Sequence, residues 1–219
     1  MNKLVIFGTG DVARLAHFYF TRDAGREVAG FTVDHDYRQG DTLLDRPLVD
    51  FETVMERFPP RDHDLFVAVS YRNVNRVRAE KYRAARDLGY RLATYVSRRC
   101  TFLSETPPGD NCFILEDNTI QPFVTIGNDV TLWSGNHIGH DSVIEDHCFL
   151  ASHIVVSGHC RVGAYSFIGV NATLRNGITV APESVVGAGA LIMKDTVAKG
   201  VYVPARTELF KKKSDEIDL

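Results

Sequence analysis

A single period governs the second half of this 219-residue chain. Steps of six from Ile114 reach Ile120, Ile126, Leu132, Ile138 and Ile144, and so on to Ile192, giving fourteen positions that are all Ile, Leu or Val. These types make up under a quarter of the residues, so chance does not produce such a run. The fifth residue of a hexad is mostly small (Ser142, Cys148, Cys160, Ser166, Ala172, Ser184, Ala190), and glycine often follows the aliphatic residue. A buried helix face repeats near 3.6 residues and a half-buried strand at 2, so neither fits. A parallel β-helix does fit: each hexad is one flat side, its aliphatic side chain fills the interior, and its small residue sits where the wall bends. Three hexads close a triangular coil of 18 residues, stacked about 4.8 Å from the next. Fourteen hexads give between four and five coils. No hexad is interrupted, so no long loop is expected between Ile114 and Val197.

The first hundred residues have another rhythm. Residues 4–7 (LVIF) read as a buried strand, and Gly8, Thr9 and Gly10 as a turn. Residues 11–20 then carry apolar side chains at helical spacing. Strands are expected at 28–33, 65–69 and 91–96, a short helix at 51–58, and a long charged helix at 71–88 stopped by Gly89. Alternating strands and helices predict a small α/β domain with a parallel, Rossmann-like sheet. The expected division is 1–100 for this domain, 108–205 for the β-helix and 206–219 for a tail.

Composition narrows the classes. A net charge of −3, with no side of the chain strongly basic, argues against nucleic acid as the main partner. No apolar run is long enough to cross a membrane, and the N-terminal apolar stretch is too short for a signal-peptide core. The four cysteines form no CxxC pair; free thiols, no metal and a cytoplasmic location are expected.

The hexads, together with VIFGTGD near the start, GNHIGHDSVIEDHCFLASH, FIGVNATLRNGITV and VVGAGALIMKD followed by VPAR, resemble bacterial acyltransferases of the left-handed β-helix superfamily. More narrowly they resemble the sugar-nucleotide N-acetyltransferases and the sialic acid O-acetyltransferase family, over nearly the whole chain. The left hand of the coil and a homotrimer are what this resemblance implies. It also implies an acetyl-CoA-dependent transfer to the amine of a nucleotide-linked aminodeoxy sugar, a 4-amino or 3-amino-6-deoxyhexose, on the way to lipopolysaccharide or another surface glycan. An O-acetyltransferase of the sialic-acid type and a non-catalytic trimeric nucleotide-sugar-binding scaffold stand as alternatives.

Thioester aminolysis needs a base for the amine proton, a donor for the developing oxyanion, and a fixed geometry. By pattern alone His140, third in its hexad, reads as a surface residue at a bend. The resemblance makes it the base, with Asp141 beside it to orient the ring. The 18-residue coil stacks His140 near Gly158. A bend reading suits that glycine; the resemblance gives its N–H the oxyanion role, and both can hold. Phe149, Val170 and Ala188 match coenzyme A contacts, although relatives often have a second histidine where Phe149 stands. The Gly8-Thr9-Gly10 turn, between a strand and a helix, suits a diphosphate. Asp34, His35 and Asp36 follow the second strand, where relatives contact the nucleotide, and read equally well as a solvated loop. His137, His147, His153 and His159 are expected to be outward polar residues, six-residue spacing placing the last three on different sides of a coil. The arginines of 71–88 are expected on a solvated helix face, and Cys112, Cys148 and Cys160 in wall packing.

Overall fold

The structure, a computed structural model, describes residues 2–217. The N-terminal part is a five-stranded sheet built from β1 (Lys3–Phe7), β2 (Val28–Val33), β3 (Thr42–Leu43), β4 (Arg46–Asp50) and β5 (His63–Val67), in the order β3-β4-β2-β1-β5. All pairs are parallel except the short β3–β4 hairpin. Side chains alternate across β1. Leu4 and Ile6 pack with Ala13, Ala16 and Phe20 of α1 (Asp11–Arg22), while Val5 and Phe7 pack with Val54 of α2 (Val54–Arg57) and Tyr82 and Ala85 of α3 (Arg76–Asp87). A strand covered on both faces has no polar side, which is why LVIF is apolar throughout.

Two expectations about this half change. The segment 91–96 is not a strand of the sheet: only Leu92 bridges to Leu65, and Tyr95–Val96 pairs with Phe113–Ile114 as a rung of the coil. The α-helix begins at Arg76 rather than 71, because Asn73, Val74 and Asn75 all take left-handed φ angles of 49–63°.

The second half is a three-sided parallel coil. Phe113, Thr131, Phe149 and Phe167 pair in register, 18 residues apart, and the other two sides repeat the pattern. The lowest rungs are Tyr95–Val96 and Thr101–Phe102, and Val201–Tyr202 closes one side on Val185–Val186. The hexad aliphatics from Ile114 to Val186 fill the interior, nearly all with no exposed surface. Cys112, Cys148 and Cys160 pack in the wall. Burial pushes the Cys148 thiol up to about 12, so it stays protonated and unreactive at neutral pH.

Each side ends at a residue with left-handed φ. Asp129, Asp141, His147, His153, His159, Tyr165 and Asn171 all lie between 55° and 63°. Helix α3 rests on one row of these corners. Arg78, expected on a solvated face, is instead almost fully buried there. Its guanidinium donates to Asp129 Oδ1 (3.1 Å) and to the backbone carbonyls of Asp129 (3.0 Å), His147 (3.0 Å) and Cys148 (3.2 Å). Five fixed donors suit a corner whose carbonyls point outward. Asn75 adds bonds to the carbonyls of Tyr165 and Ser166 at 2.9 and 3.2 Å. The sheet and coil are thereby locked face to face. Among the described residues no helix is long and apolar enough to cross a membrane.

Candidate active site

The coil's corners present two distinct environments. On the corner row under α3, His147 is buried, its Nδ1 2.8 Å from Asp129 Oδ2, and its ring packs against Tyr82 and Tyr165. It is a docking residue, which corrects the expectation that it points into solvent. On the row between the side carrying His137 and the side carrying Val143, no helix among the described residues covers the corner. His140 and Asp141 lie there half-exposed.

His140 Nδ1 lies 2.7 Å from Asp141 Oδ2. A carboxylate only accepts, so Nδ1 carries a proton, and in the neutral ring it is Nε2 that holds the lone pair. The His140 backbone N–H donates to Gln121 Oε1 at 2.8 Å, which fixes the base of the side chain. Gly158 lies directly across the ring: a Cβ placed on it would sit 2.7 Å from Nε2. The stacking read from the 18-residue period is present.

The state of the Gly158 N–H has a sequence cause. At two places in the coil a side chain nineteen residues earlier caps the equivalent N–H: Gln121 caps His140, and Glu145 caps Ala164 at 2.8 Å. Nineteen residues before Gly158 stands Gly139, which has no side chain. Among the described residues the Gly158 N–H has no acceptor, although the glycine is buried. The N–H groups of Ser152 and Val170, at the same place in their hexads, also have no acceptor; Gly158 differs in having the His140 ring beside it.

His159, set aside as an outward polar residue, belongs to this site. Its ring stands edge-on to His140, with centroids 4.9 Å apart and planes at 88°, and its Nε2 is 4.0 Å from Asp141 Oδ2. The signal that finds it is the same period: Asp141 and His159 are 18 residues apart. Ligand atoms of His140, Asp141 and His159 fall within 4.8 Å of one another. Because His140 Nδ1 is already engaged by Asp141, the arrangement is a hydrogen-bonded pair with a neighbouring ring rather than a formed cation cage.

A second feature lies where the sheet meets the coil. Gly8, Thr9, Gly10 and Asp34 line a cleft of about 550 Å³, closed by Tyr71, Arg72, Lys81, Trp133 and Phe149. Gly8 has a φ of +121°, and a Cβ there would strike the Ala68 carbonyl oxygen at 2.8 Å, so the turn requires glycine. Gly10 is the N-cap of α1 with open space around it, so the helix start is bare toward the cleft. Lys81 Nζ donates to Asp34 at 2.6 Å over the rings of Phe7 and Phe51. His35 and Asp36 do not line this cleft; His35 turns to Asp50, which raises its pKa through the hydrogen bond and the charge.

The cleft continues into a groove of about 380 Å³ on the coil. Phe149, Val170 and Ala188 line it together, beside Tyr71, Trp133 and Phe167. Phe149 stacks on Phe167 at 5.8 Å and meets the Tyr71 ring edge at 5.0 Å. The groove follows the side of the coil that carries Phe149, whereas His140 stands on the corner between the other two sides. Within one chain, ring and groove therefore face different directions.

No family model matches the chain. Among curated proteins, a 74-residue stretch is 34% identical to acyl-[acyl-carrier-protein]–UDP-N-acetylglucosamine O-acyltransferase of Stutzerimonas stutzeri and 31% identical to that of Pseudomonas putida. The matched stretch is 34% of this chain and spans only 29% of those relatives' length. Likeness to solved structures extends over almost the whole chain. PerB of Caulobacter crescentus, in complex with CoA and GDP-perosamine, superposes with a TM-score of 0.77 at 24% identity, covering 93% of this chain and 92% of that one. The acetyltransferase domain of PglB from Neisseria gonorrhoeae, in complex with acetyl coenzyme A, gives 0.75 at 22% identity, covering 89% and 93%. WeeI from Acinetobacter baumannii gives 0.80 at 16% identity, covering 92% and 96%. These superpositions show a fold shared with all three over about nine-tenths of the chain.

Proposed function

We propose that the protein is an acetyl-CoA-dependent N-acetyltransferase acting on the amine of a nucleotide-linked aminodeoxy sugar. The observation that carries this reading is that His140, bonded to Asp141, turns Nε2 to Gly158 on the next coil, a residue whose N–H has no acceptor among the described residues. Base and oxyanion donor stand side by side, as aminolysis of a thioester requires. The CoA complexes solved for PerB and for the PglB domain support the donor, and the GDP-perosamine in PerB supports the acceptor class.

In this reading the acceptor nitrogen attacks the thioester carbon and passes its proton to Nε2 of His140. The Gly158 N–H donates to the carbonyl oxygen as it becomes anionic. Collapse of the tetrahedral intermediate breaks the C–S bond, and the proton held by His140 neutralises the departing thiolate. Gly8, Thr9 and Gly10 would hold the diphosphate at the start of α1, with Asp34 on the nucleoside side of the cleft. Phe149, Val170 and Ala188 would line the coenzyme A path. Residues 1–100 thus serve binding of the sugar nucleotide and 108–205 serve acyl transfer.

A homotrimer of left-handed coils completes the proposal. One chain's groove and its own His140 face different ways, so a neighbouring copy would bring its His140 corner to the groove. The acceptor is a 4-amino or 3-amino-6-deoxyhexose, and the pathway leads to a surface glycan.

Thiol release from acetyl-CoA, measured against UDP-, dTDP- and GDP-linked aminosugars, tests the reading. Turnover dependent on one aminosugar supports it. Acetylation of a sugar hydroxyl instead, or no turnover with any acceptor in the panel, refutes it.

A further inference from the structure

Gly139 leaves the Gly158 N–H without a cap, and the missing side chain at Gly158 itself leaves the His140 ring without a wall on that side. The terminal torsion of a histidine has broad, roughly two-fold wells. A half-exposed imidazole facing a bare glycine can therefore turn over, which puts Cδ2 in the place of Nδ1 beside Asp141 and Cε1 in the place of Nε2 beside Gly158. Asp141 resists this with one hydrogen bond at the surface. A second restraint lies one coil further on.

His159 takes the corner place of Asp141, with the same φ of 57°. Its backbone N–H donates to the His140 carbonyl at 2.9 Å, which ties the two residues together through the main chain. Its ring edge meets the His140 ring at 4.9 Å and 88°, the arrangement aromatic rings favour. Its Nε2 approaches, at 4.0 Å, the same Asp141 oxygen that accepts from His140 Nδ1. On the coil beyond, Arg175 is engaged with the Met193 carbonyl.

We propose that His159 is a positioning residue: its ring is the wall that holds His140 in the orientation with Nε2 toward Gly158. The inference rests on the acyl-transfer reading of that pair. His159 touches no reacting atom in this scheme and acts only through His140 and Asp141.

Two substitutions separate the ring from the nitrogen. His159→Asn removes the ring and suits the left-handed corner, where Asn171 already sits at the same φ. His159→Phe returns a ring without a nitrogen, and Phe123 at a φ of 65°, two coils earlier in the same row, shows that the corner accepts one. Two measurements are made on the intact protein: kcat and KM for both substrates, and the imidazole 15N spectrum of His140 without substrate. His159→Asn is expected to lower kcat about tenfold, with each KM within about twofold, since misplacement of a reacting group falls on the chemical step. His159→Phe is expected to return kcat to within about threefold of wild type. The spectrum should show one Nδ1–H tautomer of His140 in wild type and the Phe variant, and a mixture in the Asn variant. Wild-type kcat in the Asn variant, a loss that Phe fails to restore, or a single tautomer in all three proteins overturns the proposal. If the wild type acetylates no acceptor, the acyl-transfer reading fails on the kinetic arm, and the spectra still decide the role of His159.

Discussion

Replacing Gly158 by alanine adds one methyl group at the point where base and oxyanion donor meet. The three atoms nearest the new Cβ all belong to the His140 ring: Nε2 at 2.7 Å, Cε1 at 2.9 Å and Cδ2 at 3.1 Å. Gly158 is not at a left-handed φ, so alanine meets no backbone strain. The ring is half-exposed and can retreat. Reaching an ordinary contact of 3.4 Å takes a shift of about 0.7 Å at Nε2. A displacement near 1 Å at a reacting group costs about 100-fold in rate, so kcat/KM should fall about 10- to 100-fold, or about 1.4–2.7 kcal/mol of transition-state stabilisation. Stability should hardly change. The lost ring contact is offset by about 0.4–1 kcal/mol from the stiffer unfolded chain, so Tm should stay within about 3 °C of wild type. The assay is thiol release from acetyl-CoA with the accepted aminosugar, alongside a thermal melt. Gly158→Ala in a His140→Ala background gives the cleaner reading: if the methyl acts through the ring, the double variant is no slower than His140→Ala alone. Wild-type kcat/KM in Gly158→Ala, with the fold intact, would refute the argument.

Other perturbations reach different layers of the molecule. His140→Asn should lower kcat by about 10²- to 10⁴-fold in the same assay, with Tm nearly unchanged because the side chain is half-exposed. Ile138→Ala opens a cavity in the coil beneath His140, where Ile138 has no exposed surface, and should cost about 2–5 kcal/mol by denaturant titration. Arg78→Ala leaves the Asp129 carboxylate buried at the junction of sheet and coil without its guanidinium, and should cost about 3–5 kcal/mol in the same titration. For Asp64, burial pushes the carboxyl up, but hydrogen bonds from Arg91 and Arg26, with their charges, outweigh it and hold the group below its usual value. Its contribution is therefore present above the unfolded carboxylate pKa of about 3.9 and is lost as pH falls through the lower folded value. Acid unfolding followed below pH about 4 should show a shallower loss of stability in Asp64→Asn than in wild type, and equal slopes would count against the ion-pair account.

The six-residue period by itself determined the coil, its 18-residue rise and the stacking of His140 on Gly158. Periodicity is a one-dimensional property that survives in the sequence, because each coil repeats the same packing problem for its aliphatic residue. It also held two signals that pairwise stacking reveals: Gly139 nineteen residues before Gly158, which leaves the N–H uncapped, and His159 one coil above Asp141. The α/β sheet was legible where strands are buried on both faces, as at β1, and was missed at β4, whose RPLVD stretch opens with Arg46 and Pro47 and carries no apolar run. Only the tertiary structure decided which equivalent corners are covered. His147 and His159 occupy the same place in their hexads, yet α3 lies on one row and leaves the other open, so one histidine became a buried partner of Asp129 and the other a neighbour of the base. Arg78 carries the same charge as the exposed arginines of its helix, and nothing local marks it as the one that meets outward-pointing carbonyls. Burial of this kind depends on what a distant segment places overhead, and that information lies between residues far apart in the chain rather than in any window of it.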